Sequence, residues 1–326
     1  VVGIFRQKNA GNALVLLIYA FFLKFYIFLH PYMPVLHKED NYLYRFILTG
    51  LNSVFGNSSL PYSVLSFFLL FSQATLFNSI CNYHKILPKT NYLPGMAYIL
   101  LTSLLQDWNH FSAPLLINSL MIWCWYRMVA LYNSNKPVGA IFNIGLMAGL
   151  ATLLYIPAVA FLIMLLFALV IMRPFRIQEW LVGFLGFTSP YYFLILFLYF
   201  TNQLHWKNIL PDITFTMPAL PSSVWIVMGI SLLVIPFIIG GYFVQVNLNK
   251  MLIQGRKSWS LLLVFLIVAV LVILINKAGS YENWIVTAVP FAAFHAAAYY
   301  YPSKNIVPQI LHWISFGFVI FMNYFH

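Results

Sequence analysis

Long apolar runs alternate with short polar gaps from residue 11 to residue 325. A bilayer core of about 30 Å asks for roughly 20 helical residues. Breaking the runs at charges, prolines and asparagine clusters predicts eleven spans, at 11–30, 61–82, 93–106, 111–131, 138–155, 157–173, 180–201, 223–246, 258–276, 284–301 and 305–325. The pattern therefore predicts an all-α polytopic transmembrane helix bundle, a single integral membrane domain over 1–326. The first run follows Arg6 and Lys8 as a signal sequence would, but no small-residue cleavage site comes after it, so it reads as a retained helix.

Two predicted gaps are long enough to hold structure of their own. In 31–60 the residues Tyr44, Ile47, Leu48, Leu51, Val54 and Phe55 recur at helical spacing, the pattern of an amphipathic helix lying in the interface. Residues 202–222 are punctuated by proline and read as irregular. Two helical hairpins are short. "LPGMAYILLTSLLQDWNHFSAPLL" turns at Asp107 to Ser112, which puts Asp107 and His110 at partial depth in a protein cavity. In the second, Gly145, Gly149 and Ala151 allow close helix packing.

Composition sharpens the class. Hydrophobic residues make up 62% of the chain and charged ones 7%, against about 25% charged in a soluble domain. The net charge of +11 does not indicate nucleic acid, because the seventeen Lys and Arg are scattered between apolar runs and form no dense block. They follow topology instead. With the amino terminus inside, the cytoplasmic side collects Arg6, Lys8, Lys85, Lys89, Arg127, Lys136, Arg173, Arg176, Lys250, Arg256, Lys257 and Lys304. Lys24, Lys38, Arg45, Lys207 and Lys277 fall on the other side or its helix ends. This bias predicts a cytoplasmic amino terminus and an outer carboxyl terminus. Cys81 and Cys124 lie near predicted spans in no disulfide or zinc spacing.

Of six acids, Glu39, Asp40, Asp107, Asp212 and Glu282 fall on the outer side, and only Glu179 inside. Glu39 and Asp40 stand together in "VLHKEDNYLYR", flanked by Lys38 and Arg45. With Asp107 and His110 they form a candidate outer-face catalytic site. A carboxylate there serves as general base for an acceptor hydroxyl, or as ligand for a divalent metal. Lys38 and Arg45 would hold a phosphate. The plainer alternative is a solvated loop whose charges pair locally, and for Asp212 and Glu282 an ordinary polar loop. On the inner side, Arg173 and Arg176 of "MRPFRIQEW" are candidate lipid-phosphate contacts, against simple interface anchoring. His295 and His312 reach a similar membrane depth; the sharper reading is a metal pair and the plainer one an interhelical hydrogen bond. P-loop, GxSxG, HExxH and dinucleotide motifs are missing.

"VVGIFRQKNAGNALVLLIYAFFLKF" and "MRPFRIQEWLVGFLGFTSPYYF" resemble a family of uncharacterised polytopic inner-membrane proteins of Bacteroidota. That resemblance implies an inner-membrane location and supplies no activity. Over roughly 11–201 the order of helix, long acidic outer loop, helix and short acidic outer turn is similar to the amino-terminal module of GT-C glycosyltransferases, with 202–326 as further carboxyl-terminal helices. The likeness implies a polyprenyl-phosphate-linked sugar as donor, Asp40 or Glu39 as catalytic acid of the first loop, and Asp107 as that of the second. The chain departs from that pattern in having no large outer soluble domain at its carboxyl end. Two rival classes remain open: a non-enzymatic subunit contacting a membrane-protein partner through aromatic faces such as "PYYFLILFLYF", and a transporter built around the broken 93–131 pair.

Overall fold

A computed structural model describes residues 1–7, 9, 11–204, 214–216, 223–275, 281–304 and 306–325. Asp212, Lys207, Lys277, Lys8 and most of the 202–222 loop lie outside them. Among the described residues every element is helical, and the one β pairing is an isolated antiparallel bridge between Asp40 and Tyr155.

Six helices are long and apolar enough to cross a membrane: Leu60–Tyr83 (α5), Pro137–Leu154 (α8), Ile177–Phe200 (α10), Val224–Asn247 (α11, extended by a 3-10 turn to Lys250), Ile253–Leu274 (α12) and Ile306–Tyr324 (α14). Four of the other elements are also near the expected runs. Asn12–Lys24 (α2) breaks at Phe25 before Tyr26–Leu29 (α3), Ala113–Ala130 is α7, and Phe161–Met172 (α9) follows a 3-10 turn at Ile156–Ala160. A short α1 covers Val2–Phe5, and the amphipathic helix appears as α4, Tyr42–Phe55. In α4, Tyr44 and Leu48 are buried and Ile47, Leu51 and Phe55 pack on the core, but Val54 is exposed.

Five of the eleven expected spans are not among these six: α2, α7 and α9, and two in the middle of the molecule. Leu93–Leu101 (α6) has nine residues, all buried, and Ala288–Tyr300 (α13) is buried along almost its whole length. A helix that is apolar all round belongs in an interior. α6 and α13 pack against each other, α5 and α11 flank them, and α2 lies on α6. Residues 202–326 therefore do not stand apart from 11–201: α13 sits on α6, and α12 on α7 and α9.

Glycines set the closest approaches. A side chain on Gly145 or Gly149 of α8 would run into the α10 backbone at Gly183 or Phe187, and one on Gly186 of α10 would strike Phe142 of α8. The expected Gly145–Gly149 contact is thus made, with α10 as its partner. Gly240 of α11 is pressed in the same way against Phe294 of α13.

The helix ends gather into two layers. At one end the Arg6 guanidinium donates to the Tyr299 and Tyr300 carbonyls, Asn82 bonds Asn91, Arg173 bonds the Ser134 carbonyl, and the Lys257 ammonium lies over the Tyr132 ring. At the other, Lys24 meets Asn109, Tyr44 meets Phe111, Gln106 reaches Met322 and Asn323 reaches Leu23. Eleven described Lys and Arg fall in the first layer and three, Lys24, Lys38 and Arg45, in the second.

Candidate functional site

The second layer is organised by the loop between α3 and α4. Its last residues run along the end of α8: the Asn41 N–H donates to the Leu154 carbonyl, the Ile156 N–H to the Glu39 carbonyl, and the Asn41 amide to the Thr152 carbonyl. Asn41 also caps α4 through the Tyr42 N–H. Asp40 is 3% exposed, and its carboxylate accepts the His37 N–H at 2.8 Å. Arg45 turns back to donate to the Asp40 carbonyl. Burial pushes the Asp40 carboxyl up to about 6, against the pull of the His37 N–H, the His37 ring and Arg45. Lys38 is exposed and Glu39 half-buried. The charge cluster of "VLHKEDNYLYR" is therefore largely a local fold, with Asp40 and Arg45 engaged in holding the loop in place.

Asp107 and His110 occupy the tip of the α6–α7 hairpin, where a 3-10 turn at Gln106–Asn109 replaces the expected last helical turn. A second 3-10 segment, Tyr281–Thr287, meets that tip: the Trp108 indole donates to the Tyr281 carbonyl, the Asn118 amide to the Ile285 carbonyl, and the Tyr281 N–H bonds the Asp107 carboxylate. This brings Glu282 to His110, with Oε1 3.1 Å from Nδ1, and to His37, with Oε2 3.7 Å from Nε2. Tyr32 stacks on the His110 ring at 4.0 Å. Burial raises the Asp107 carboxyl and Glu282 adds to it, while His110 and the Tyr281 N–H oppose. Burial also raises the Tyr32 hydroxyl, and the negative charges of Glu282 and Asp107 add to it. Asp40 and Asp107 are thus linked through His37, Glu282 and His110.

Beneath this cluster lies a polar cavity of about 210 Å³, lined among others by Lys24, Asp107, Asn109, His110, Tyr32 and Asn323. It admits the polar end of a ligand with a few waters, below the roughly 300 Å³ at which whole small molecules are enclosed. Lys24 is 1% exposed, and its Nζ donates to Asn109 Oδ1 at 2.6 Å. An apolar groove of about 570 Å³ runs between Tyr42 and Phe46 of α4, Leu146 and Leu150 of α8, and Phe193 and Phe197 of α10.

The remaining candidates lie elsewhere. Arg173 is in the opposite layer, tied to the buried Glu179 at 2.9 Å and to the Ser134 carbonyl, and so joins the α9–α10 corner to the α7–α8 loop. Arg176 is exposed beside it, at the start of α10. His295 donates to the Leu233 carbonyl at 2.8 Å, and His312 pairs with the Tyr19 hydroxyl at 3.0 Å. These are interhelical hydrogen bonds, the plainer of the two readings. Among the described residues no group of three His, Cys, Asp or Glu side chains is arranged to hold a metal ion. Sequence reasoning passed over Glu282 and Lys24. The signal for Lys24 was a charge at the end of an apolar run; Glu282 had none nearby, because its partner is 172 positions away.

No protein-family model matches the chain, and neither a curated protein nor a solved structure shows significant similarity to it.

Proposed function

We propose that the protein is a GT-C-like glycosyltransferase of a bacterial inner membrane, with eleven passes, a cytoplasmic amino terminus and its polar pocket on the outer face. The observation that carries this reading is a carboxylate, Asp107, and a carboxylate-oriented imidazole, His110 held by Glu282, lining one cavity with the buried side-chain nitrogen of Lys24. A polyprenyl-phosphate-linked sugar would lay its chain in the apolar groove beside α4 and its sugar in the pocket. Asp107, made more basic by burial, takes the proton of an acceptor hydroxyl as that oxygen bonds the anomeric carbon. The bond from the anomeric carbon to the phosphate oxygen breaks, and Lys24 faces the charge left on polyprenyl phosphate. The general-base role thus moves from Asp40, whose carboxylate is engaged with the loop, to Asp107.

The test is release of polyprenyl phosphate from a polyprenyl-phosphate sugar by the protein in lipid nanodiscs. Loss of a positioned base lowers turnover by roughly 10²–10⁴-fold, so Asp107→Asn is expected to fall in that range and Asp40→Asn to stay near wild type. Equal turnover in Asp107→Asn and wild type removes the assignment. A second reading, a transporter for a small polar solute, draws on the buried Lys24 within an apolar bundle. It predicts uptake into proteoliposomes that Lys24→Met abolishes.

A further inference from the structure

Part of the wall of the polar pocket is a strap of irregular chain between α3 and α4, from which His30 and Tyr32 line the cavity. Tyr32 is 41% exposed as well as lining the cavity, so its ring stands between the pocket and the surroundings. The strap is tied at its two ends. The His30 N–H donates to the Tyr26 carbonyl, and the stretch from His37 to Asn41 is bonded within itself and to the end of α8. Between these ties, over residues 31–36, no backbone group is hydrogen-bonded to another described residue. Pro31 and Pro34 have no N–H to offer. Met33 packs on the core, whereas Val35 and Leu36 are exposed. A segment with no backbone bonds and little buried apolar surface opens at low cost.

Two side-chain contacts hold the strap shut, and they converge on Glu282 and its partner His110. The Tyr32 ring lies on the His110 ring, with centroids 4.0 Å apart and planes 11° from parallel. His110 Nδ1 is 3.1 Å from Glu282 Oε1, within hydrogen-bond reach, whereas His37 Nε2 is 3.7 Å from Oε2, beyond it. The His37 contact therefore attracts only while that imidazole carries a proton. A proton on His110 works in the same sense, since a cation stacks better on the Tyr32 ring. An imidazole in ordinary surroundings changes charge between about pH 5 and 8.

Other charged and titratable groups surround the pair. Lys38, Glu39, Asp40 and Arg45 lie about His37, and Asp107 and the hydroxyls of Tyr32 and Tyr44 face Glu282. Burial holds Asp40, at about 6, and Asp107 above the ordinary carboxylate range, so these two also change charge as the solution is acidified.

We propose that residues 31–36 form a gate over the polar pocket, latched by a proton on His37 against Glu282, so that the pocket is closed in mildly acidic solution and opens in alkaline solution. Closed, the gate keeps Tyr32 over His110 and shields the cavity from water. Unlatched, it swings on its two tied ends and admits a ligand to Asp107 and His110. The gate governs entry whatever ligand the pocket takes, so its test reads the position of the strap and not turnover.

The experiment uses the full chain in lipid nanodiscs, with nitroxide labels at Val35→Cys in the strap and Val54→Cys on α4, both exposed positions, while Cys81 and Cys124 are buried. Distances between the labels are measured by double electron–electron resonance in samples frozen from pH 5.5 and pH 8.5. The population displaced from the closed distance is expected to be about two- to fivefold larger at pH 8.5, the effect of one partly exposed ion pair. His37→Gln, polar but never charged, should show the pH 8.5 distribution at both pH values. Asp40→Asn and Asp107→Asn should keep the pH response, because neither carboxylate is the latch. Identical distributions at the two pH values overturn the proposal, as does a response that survives in His37→Gln or is lost in Asp40→Asn or Asp107→Asn.

Discussion

Asp40 shows how burial can make an acid a liability that the loop tolerates. Its carboxyl titrates near 6 in the folded chain against an ordinary value of 3.8. Between those two values the native state holds the extra proton, so its stability falls as pH rises from about 4 to about 6. Asp40→Asn keeps an acceptor for the His37 N–H and never ionises. The variant is therefore expected to melt above wild type at pH 7.5, by a free energy of up to about 3 kcal/mol, with the gap roughly halved near pH 5 and closed below about pH 4. A thermal melt at several pH values checks it. Arg173 is the opposite case, since its loss strands the buried Glu179 charge. Arg173→Ala is expected to cost roughly 3–5 kcal/mol in detergent melts, and Arg173→Met with Glu179→Met to recover much of it. What the sequence carried at this scale followed from local chemistry. A short apolar run ending in "QDWNH" marks a turn inside the protein wherever its partners lie, so Asp107 and His110 were legible. Glu282 was not, because its environment depends on where the far end of the chain docks.

Neighbouring glycines separate packing from propensity at the scale of the helix. Gly240 faces the α13 backbone at Phe294, whereas Gly241, one position on, has open space beyond it. Gly240→Ala is expected to lower stability by about 1–3 kcal/mol, as overpacking does. Gly241→Ala should be neutral or stabilising by up to about 1 kcal/mol. A pair of melting curves distinguishes the two, and equal effects would mean that α11 and α13 are not in backbone contact. Helix boundaries were read to within a few residues wherever lipid contact makes an apolar run long, as at Leu60–Tyr83 and Val224–Asn247. The reading failed at 93–106, where helix gives way after Leu101. There the surroundings are protein instead of lipid, and a peptide group can turn inward to meet other peptide groups.

The unequal charge of the two layers is a property of the whole molecule, and it was visible in the spacing of Lys and Arg before any packing was known. Substituting Lys38→Cys and Lys136→Cys, both exposed and in opposite layers, should give thiols labelled by an impermeant maleimide from opposite sides of sealed vesicles. Labelling of both from one side would break the proposed topology. The centre of the bundle was not visible in that spacing, since α6 and α13 read as ordinary spans until their neighbours are in place. Their pairing has a consequence for biogenesis. Nine residues of α6 are too few to hold a place in a bilayer alone, and one wall of its berth is α13, synthesised long afterwards. During translation the α6–α7 hairpin must wait for that wall until α13 has been made. The centre of the bundle is therefore closed late, by α13, whatever order the helices enter the membrane.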